Sequence, residues 1–160
     1  MGEGLSRLGA PSEKSERRDP REAFPEKYLM YLIDTNVLID ALKSRRSRTE
    51  FLQQLSRSQP LAFCSIVVAE LFAGFATPAE VKRAEEDLLN AMVYLSTSQS
   101  AAELAGSLLV RYKRQGISLA LADAMIAAVA ITGGHTLVTD NVKHFPMPEL
   151  NLMSAPPYAN

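Results

Sequence analysis

Short apolar runs alternate along the chain with longer segments in which apolar residues recur every three or four positions. The apolar runs predict strands at 28–33, 61–64, 93–95, 135–139 and, as a short fifth, 150–152. The periodic segments predict helices at 35–42, 48–57, 65–75, 78–90, 98–116 and 122–131. Strands separated by helices need crossover connections. The pattern therefore predicts an α/β fold, a three-layer α/β/α sandwich with a central, mainly parallel sheet of four or five strands.

The beginning of the chain has neither pattern. Residues 1–27 are rich in Gly, Ser, Pro and mixed charges, which predicts a disordered N-terminal tail before one domain at 28–157. The longest apolar stretch, 119–131, contains Asp123 and is too short to span a bilayer. No signal-peptide pattern is present, and the single cysteine, Cys64, cannot form an internal disulfide. These features favour a cytoplasmic protein.

The charge balance offers little guidance to a partner. A net charge of −1 creates no global basic field, so nucleic-acid binding would depend on local patches. One candidate patch follows the first predicted helix and contains Lys43, Arg45, Arg46 and Arg48. Such residues contact phosphates in RNA-binding proteins, and they equally well complement the dipole at the end of a helix. The patch is therefore a candidate RNA-binding surface with an ordinary alternative.

Two aspartates directly follow predicted strands. Asp34 comes after the first strand and Asp140 after the fourth, so they would converge if these strands are neighbours in the sheet. The alternative for each is a cap or turn residue, because Asp is common at such positions. Thr35 and Asn36 offer N-cap chemistry for the first helix, and Ser65 does so for the third.

Two further acids stand on apolar helix faces. The neighbours of Glu70 and Asp123 one helical turn away are apolar or small, and no Lys or Arg lies at that spacing. Burying an unpaired carboxylate is costly, so a distant basic side chain or a cation should compensate each. The alternatives are an exposed helix edge for Glu70 and an N-cap position for Asp123.

The four acids together suit a hard divalent cation. Asp34, Glu70, Asp123 and Asp140 supply oxygen ligands, whereas the chain has few Cys and His for zinc. Mg²⁺ or Mn²⁺ would relieve the repulsion among the carboxylates and polarise a phosphodiester. The reaction class that this predicts is metal-assisted phosphodiester hydrolysis.

Four sequence blocks in this order resemble the PIN-domain family, in particular VapC-like toxins of VapBC toxin–antitoxin pairs. The blocks are Asp34-Thr35-Asn36-Val37-Leu38, Ser65 with Ala69-Glu70-Leu71, Ala122-Asp123-Ala124-Met125-Ile126, and Leu137-Val138-Thr139-Asp140-Asn141 continuing to His144-Phe145. The resemblance spans roughly residues 30–155. It implies a PIN-like fold, cleavage of RNA with Mg²⁺ or Mn²⁺, silencing by a VapB-like antitoxin and a homodimer.

The resemblance also implies roles for individual residues. Asp34, Glu70 and Asp123 match the metal-binding acids of the family. Supporting positions are matched by the hydroxyl residues Thr35 and Thr139 and by the amide residues Asn36 and Asn141. The last block departs from many relatives, because His144 stands where they have an acid. Asp140 is then either a ligand for a second metal or a metal-bound water, or a turn residue with His144 facing the scissile phosphate.

Two other functions agree less well with the sequence. A phosphotransfer domain would need an acid pair at the first strand and a Lys at a later strand end, and the sequence has neither. A PIN module that only binds RNA or protein is disfavoured because three clear acids are retained. Leu71, Phe72 and Phe75 are interpreted as core, although a groove beside them would suit an antitoxin segment.

Overall fold

A computed structural model describes residues 28–43 and 46–157, so the predicted tail at 1–27 lies outside the described residues. The described part of the chain forms a sheet of five strands in the order β3-β2-β1-β4-β5. All four neighbouring pairs are parallel, which confirms the predicted α/β architecture. The strands are β1 (Tyr31–Ile33), β2 (Leu61–Cys64), β3 (Val93–Leu95), β4 (Thr136–Thr139) and β5 (Asn151–Ser154).

Helices make the crossovers from β1 to β2, from β2 to β3 and from β3 to β4, whereas the connection from β4 to β5 contains a 3₁₀ segment. In the described residues they are α1 (Thr35–Leu42), α2 (Arg46–Ser56), α3 (Ser65–Gly74), α4 (Pro78–Asp87), α5 (Gln99–Arg114) and α6 (Leu121–Gly133). Two short 3₁₀ segments occupy Leu89–Ala91 and Val142–His144. The helix predicted to reach residue 90 therefore ends earlier, at Asp87, and the chain tightens into the first 3₁₀ turn before β3.

The core lies between the sheet and its helices. Every residue of β2 is buried, and Leu32 and Ile33 of β1 are fully buried. β1 begins at Tyr31, three residues later than the predicted strand, and Tyr28 and Leu29 before it are exposed. On α6, alanines alternate with Ile126 and Val129 and allow close packing against α5. No helix of the described residues is long and apolar enough to cross a membrane.

The strand order brings two loops together at one point of the sheet. The chain moves outward from β1 through β2 to β3, then returns to the other side of β1 to form β4. The crevice between β1 and β4, beyond their carboxyl ends, is the switch point where α/β proteins bind ligands. Asp34 directly follows β1 there, beside Thr139 at the end of β4, and the backbone N–H of Asp34 donates to the carbonyl of Val138 at 2.9 Å.

Candidate active site

Asp34 is fixed at the junction of β1 and α1. Its carboxylate caps the helix, with Oδ1 accepting from the backbone N–H of Thr35 at 2.8 Å. The other oxygen, Oδ2, accepts from the hydroxyl of Thr139 at 2.6 Å. The cap is therefore Asp34 rather than Thr35 or Asn36, because the extended backbone at Asp34 directs its side chain onto the first turn. Capping leaves each oxygen with a further lone pair for another ligand.

Glu70 approaches from α3. Its Oε2 accepts a hydrogen bond from the hydroxyl of Thr35, which links α3 to the first turn of α1. Glu70 is otherwise exposed, as in the alternative of an exposed helix edge, and the apolar residues on its helix face do not bury it. Ser65 does not cap α3: Cys64 is the N-cap residue, and the Ser65 hydroxyl instead lies 2.8 Å from that of Thr97.

Asp123 lies in the first turn of α6, where Ala120 is the N-cap residue and makes no side-chain capping bond. Asp123 is therefore not the cap, and its partner comes from elsewhere in the chain. Nδ1 of His144 lies 3.3 Å from Asp123 Oδ2, and His144 is 56 % exposed. A basic side chain distant in sequence thus faces Asp123, which is one of the two kinds of partner predicted for it.

Asp34, Glu70 and Asp123, called the three-acid cluster below, influence one another electrostatically. Burial raises the pKa of Asp34, hydrogen bonds from Thr139 and Thr35 oppose the rise, and the charges of Glu70 and Asp123 add to it. Burial also raises the pKa of Asp123, His144 opposes this, and Glu70 adds to it. Among the described residues, none of the three acids forms a salt bridge with a Lys or Arg.

The donor set of this cluster suits a hard cation. Carboxylate oxygens are the ligands that such ions prefer. Two residues after Asp34, the buried Oδ1 of Asn36 accepts no hydrogen bond within the described residues. No three carboxylate, imidazole or thiol groups in 28–43 and 46–157 already stand close enough together to ligate one ion. An ion here would accordingly draw the acids inward or bind them partly through water, as Mg²⁺ commonly does.

Asp140 follows β4 but bonds to a different partner. Both of its carboxylate oxygens lie within 2.8 Å of Nη2 of Arg48, and the same nitrogen lies 3.5 Å from Asp40 Oδ2. Arg48, Asp40 and Asp140 are called the arginine cluster below. Arg48 is only 1 % exposed, so its guanidinium offers no surface to RNA.

The structure describes two of the other three residues of the predicted basic patch. Lys43 and Arg46 are exposed, and Arg46 pairs with Glu50 at 2.8 Å within α2. Arg45 lies outside the described residues.

Thr139 and Asn141, the supporting residues of the last block, are in contact. The hydroxyl of the fully buried Thr139 donates to Asp34 and accepts a hydrogen bond from the backbone N–H of Asn141 at 3.0 Å. The side chain of Asn141 is exposed.

A family model for the PIN domain matches residues 31–146, which is most of the described chain. This chain belongs to the PIN-domain family. It is 34% identical over 131 residues to Ribonuclease VapC19 of Mycobacterium tuberculosis, covering 81% of this chain and 100% of that protein. It is 35% identical over 130 residues to Ribonuclease VapC10 of the same organism, covering 81% and 94%.

Solved structures agree with the PIN fold. The chain resembles VapBC2 from Rickettsia felis bound to a DNA fragment from its promoter, with TM-score 0.72, 26% identity, and coverage of 79% of this chain and 98% of that one. It also resembles a toxin–antitoxin complex from Klebsiella pneumoniae, with TM-score 0.62, 31% identity, and coverage of 80% and 98%. PIN-domain ribonucleases of the VapC type generally depend on a divalent metal ion.

Sequence reasoning missed two pairings in this PIN domain. Arg48 and Asp140 are separated by 92 positions, and Asp123 and His144 lie on different elements. No local spacing reveals such pairs. One signal was available for the first: Arg48 occupies a position one helical turn from Leu52, which is fully buried, so its side chain shares the inner face of α2.

Proposed function

We propose that this PIN domain is a metal-dependent endoribonuclease that hydrolyses RNA phosphodiester bonds and serves as the toxin of a type II toxin–antitoxin pair. One observation carries the proposal: three carboxylates stand at the switch point of the sheet without a Lys or Arg salt-bridge partner among the described residues. Such a cluster is destabilising by itself, and a bound cation removes the penalty. The ribonuclease names of its relatives support the same reaction.

Asp34, Glu70 and Asp123 are the proposed ligands, and Mg²⁺ or Mn²⁺ is the proposed ion. When bound, the ion would supply charge neutralisation and Lewis acidity toward the phosphodiester. The chain's own residues do the positioning. Thr139 and the Thr35 backbone N–H hold the two oxygens of Asp34, and the Thr35 hydroxyl holds Glu70. Asn36, with its unpartnered Oδ1, is proposed to accept from an active-site water.

His144 is proposed to serve the fourth position that many relatives give to an acid. Its imidazole contacts Asp123 and is half exposed, so it holds that carboxylate while remaining open to an approaching phosphate. Asn141 supports the site through its backbone N–H, which fixes the acceptor side of the Thr139 hydroxyl. The contact with Asp123 supports the role of His144, and the contact with Thr139 supports that of Asn141.

RNA is proposed to bind on exposed cations. Lys43 ends α1 and is exposed, Arg46 is exposed, and Lys143 stands exposed beside His144. Arg45 is retained from the predicted patch, whereas Arg48 is assigned another role below. Such residues supply affinity for phosphates without reading base sequence, and their contribution falls with salt.

A VapB-like antitoxin is the proposed protein partner. Similar solved structures include VapBC2 from Rickettsia felis and VapBC-1 from nontypeable Haemophilus influenzae. Beside α1 and α3, this chain has a groove of about 380 Å³ whose apolar lining would receive the apolar face of a helix. Its lining is Ile39, Leu42, Leu71, Gly74 and Phe75, with Lys43, Glu80 and Arg83 also contributing. Phe72, 40% exposed, extends the apolar surface. We also propose that the protein is a homodimer and is cytoplasmic.

The direct test uses the full chain purified away from any antitoxin. RNA is incubated with wild type, Asp34→Asn, Glu70→Gln and Glu85→Gln in Mg²⁺, Mn²⁺ or excess EDTA. Glu85 is an exposed acid on α4, so Glu85→Gln is the matched control. We expect metal-dependent cleavage by wild type and Glu85→Gln, and loss in the other two variants. A wild type that cuts no RNA with either metal, or cuts equally well in EDTA, would contradict the proposal.

A further inference from the structure

Arg48 connects three segments that are far apart in the sequence. Its Nη2 bonds both carboxylate oxygens of Asp140, at 2.8 and 2.7 Å, and approaches Asp40 on α1. Its Nη1 donates to the carbonyl of Pro156 at 3.1 Å. A nearly fully buried guanidinium thus joins the middle of α1, the turn after β4 and the segment after β5.

Two of the three contacts of this guanidinium, those with Asp140 and Pro156, lie next to Thr139. Asp140 is the following residue, and Pro156 follows Ala155, whose backbone N–H donates to the carbonyl of Thr139 at 2.9 Å. Arg48 therefore braces the end of β4 from two sides. Charge-assisted hydrogen bonds of this kind are stronger than neutral ones, and a planar guanidinium holds its partners in a fixed geometry.

The turn after β4, which Arg48 holds in place, determines the direction in which the Thr139 hydroxyl donates its hydrogen bond. The hydroxyl oxygen accepts the backbone N–H of Asn141, at 3.0 Å, and this leaves its single hydrogen for Asp34 Oδ2, at 2.6 Å. If the turn shifted, Asn141 would move with Asp140, and the hydrogen bond to Asp34 would lose its alignment. Arg48 is thus connected to Asp34 through Asp140, Asn141 and Thr139.

We infer that Arg48 is a positioning residue for the metal site: it fixes the turn after β4 and so aligns Thr139 with Asp34. Asp140 is then the partner of Arg48 and not a metal ligand, because both of its oxygens already bond a buried guanidinium. The inference rests on the proposed function of the three-acid cluster. Partners that orient metal ligands typically contribute about 10- to 100-fold to metal affinity or activity.

Mn²⁺ affinity, measured by electron paramagnetic resonance on the full chain, tests this without relying on cleavage. The variants are Arg48→Met, Arg48→Lys, Thr139→Val and the double variant Arg48→Met with Thr139→Val. Arg57→Met is the matched control, because Arg57 is exposed just beyond α2. We expect a loss of about tenfold for Arg48→Met and for Thr139→Val, with a smaller loss for Arg48→Lys. Arg57→Met should equal wild type.

The double variant distinguishes positioning from general stabilisation. If Arg48 acts through Thr139, the double variant loses no more affinity than either single variant. Adding Asp140→Asn to Arg48→Met should likewise cause no further loss, whereas a metal ligand at Asp140 would cause one. Should Arg48→Met not fold, Arg48→Lys against Arg57→Lys replaces it.

Two outcomes would overturn the inference. One is a folded Arg48→Met whose Mn²⁺ affinity stays within about twofold of wild type, even if its melting temperature falls. The other is a pair of losses that multiply in the double variant. A wild type that binds no Mn²⁺ would instead contradict the proposed function itself, so the two failures are distinguishable.

Discussion

The three-acid cluster and the arginine cluster both border the carboxyl ends of β1 and β4, yet they are compensated in different ways. Asp40 and Asp140 share the buried guanidinium of Arg48. Asp34 and Glu70 receive hydrogen bonds from hydroxyl and backbone groups. Within the part of the chain that the structure describes, only Asp123 of the three faces a basic side chain, the half-exposed His144. The chain therefore supplies a buried cation to Asp40 and Asp140, whereas we propose that the other three acids bind an external one. This contrast, more than the number of acids, locates the proposed metal site.

The largest expected effect separates the two clusters by activity. Asp34→Asn should lower the rate of RNA cleavage by on the order of 10³-fold, comparable to removing a main electrostatic group from an active site. Asp140→Asn should cost at most about tenfold, because it acts only on positioning. Single-turnover cleavage assays at saturating Mg²⁺ measure both. Equal losses in the two variants would remove the distinction between the clusters.

The next effect concerns stability. Arg48→Met should lower the free energy of unfolding by about 3 kcal/mol, because it leaves two acids beside a buried apolar side chain. Arg57→Met, an exposed control, should change it by no more than about 0.5 kcal/mol. Urea denaturation monitored by circular dichroism provides the comparison. A similar value for both variants would mean that the arginine cluster contributes nothing.

His144→Gln tests the basic partner of the three-acid cluster. Because His144 opposes the rise in the pKa of Asp123, its removal should move that pKa further up in metal-free protein. Carboxyl ¹³C NMR titration measures this shift. Cleavage should also fall by about tenfold, since Asp123 loses a positioning contact. An unchanged Asp123 titration would show that the two side chains do not interact in solution.

The smallest expected effect is a gain in stability, whereas Arg48→Met should cause a loss. Asp123 has a raised pKa in the folded protein, so its contribution to stability is present below its ordinary pKa near 4 and is lost as pH rises through the folded value. In EDTA at pH 7, Asp123→Asn should therefore raise the melting temperature by roughly 1–3 °C, and the gain should vanish below about pH 4. A lower melting temperature at pH 7 would contradict the raised pKa that burial, and then the charge of Glu70, gives Asp123.

Much of the fold was predictable because its elements are marked locally. The apolar runs located the strands and implied parallel pairing, which the structure confirms. Element ends were less accurate, as at α4, where the chain passes into a 3₁₀ turn at Leu89–Ala91. The strand order was not predictable, since apolar runs do not specify which strands are neighbours. It is that order which places Asp34 beside Thr139.

The candidate site was predictable only in part, for the same reason. Position after a strand identified Asp34, and apolar helix faces identified Glu70 and Asp123. The partner of each acid depends on tertiary contacts: Thr139 for Asp34, His144 for Asp123. The sequence places Arg48 in a candidate RNA-binding patch, whereas its three partners lie on segments that only folding brings together.

Anomalous diffraction from crystals of the full chain grown with Mn²⁺ tests the central claim most directly. The claim predicts a Mn²⁺ peak among Asp34, Glu70 and Asp123, with direct carboxylate ligands at about 2.1–2.2 Å and the remaining positions filled by water. Asp140 should still contact Arg48 in the same crystal. A peak coordinated by Asp140, with Arg48 displaced, or the absence of any Mn²⁺ at the three acids, would contradict it.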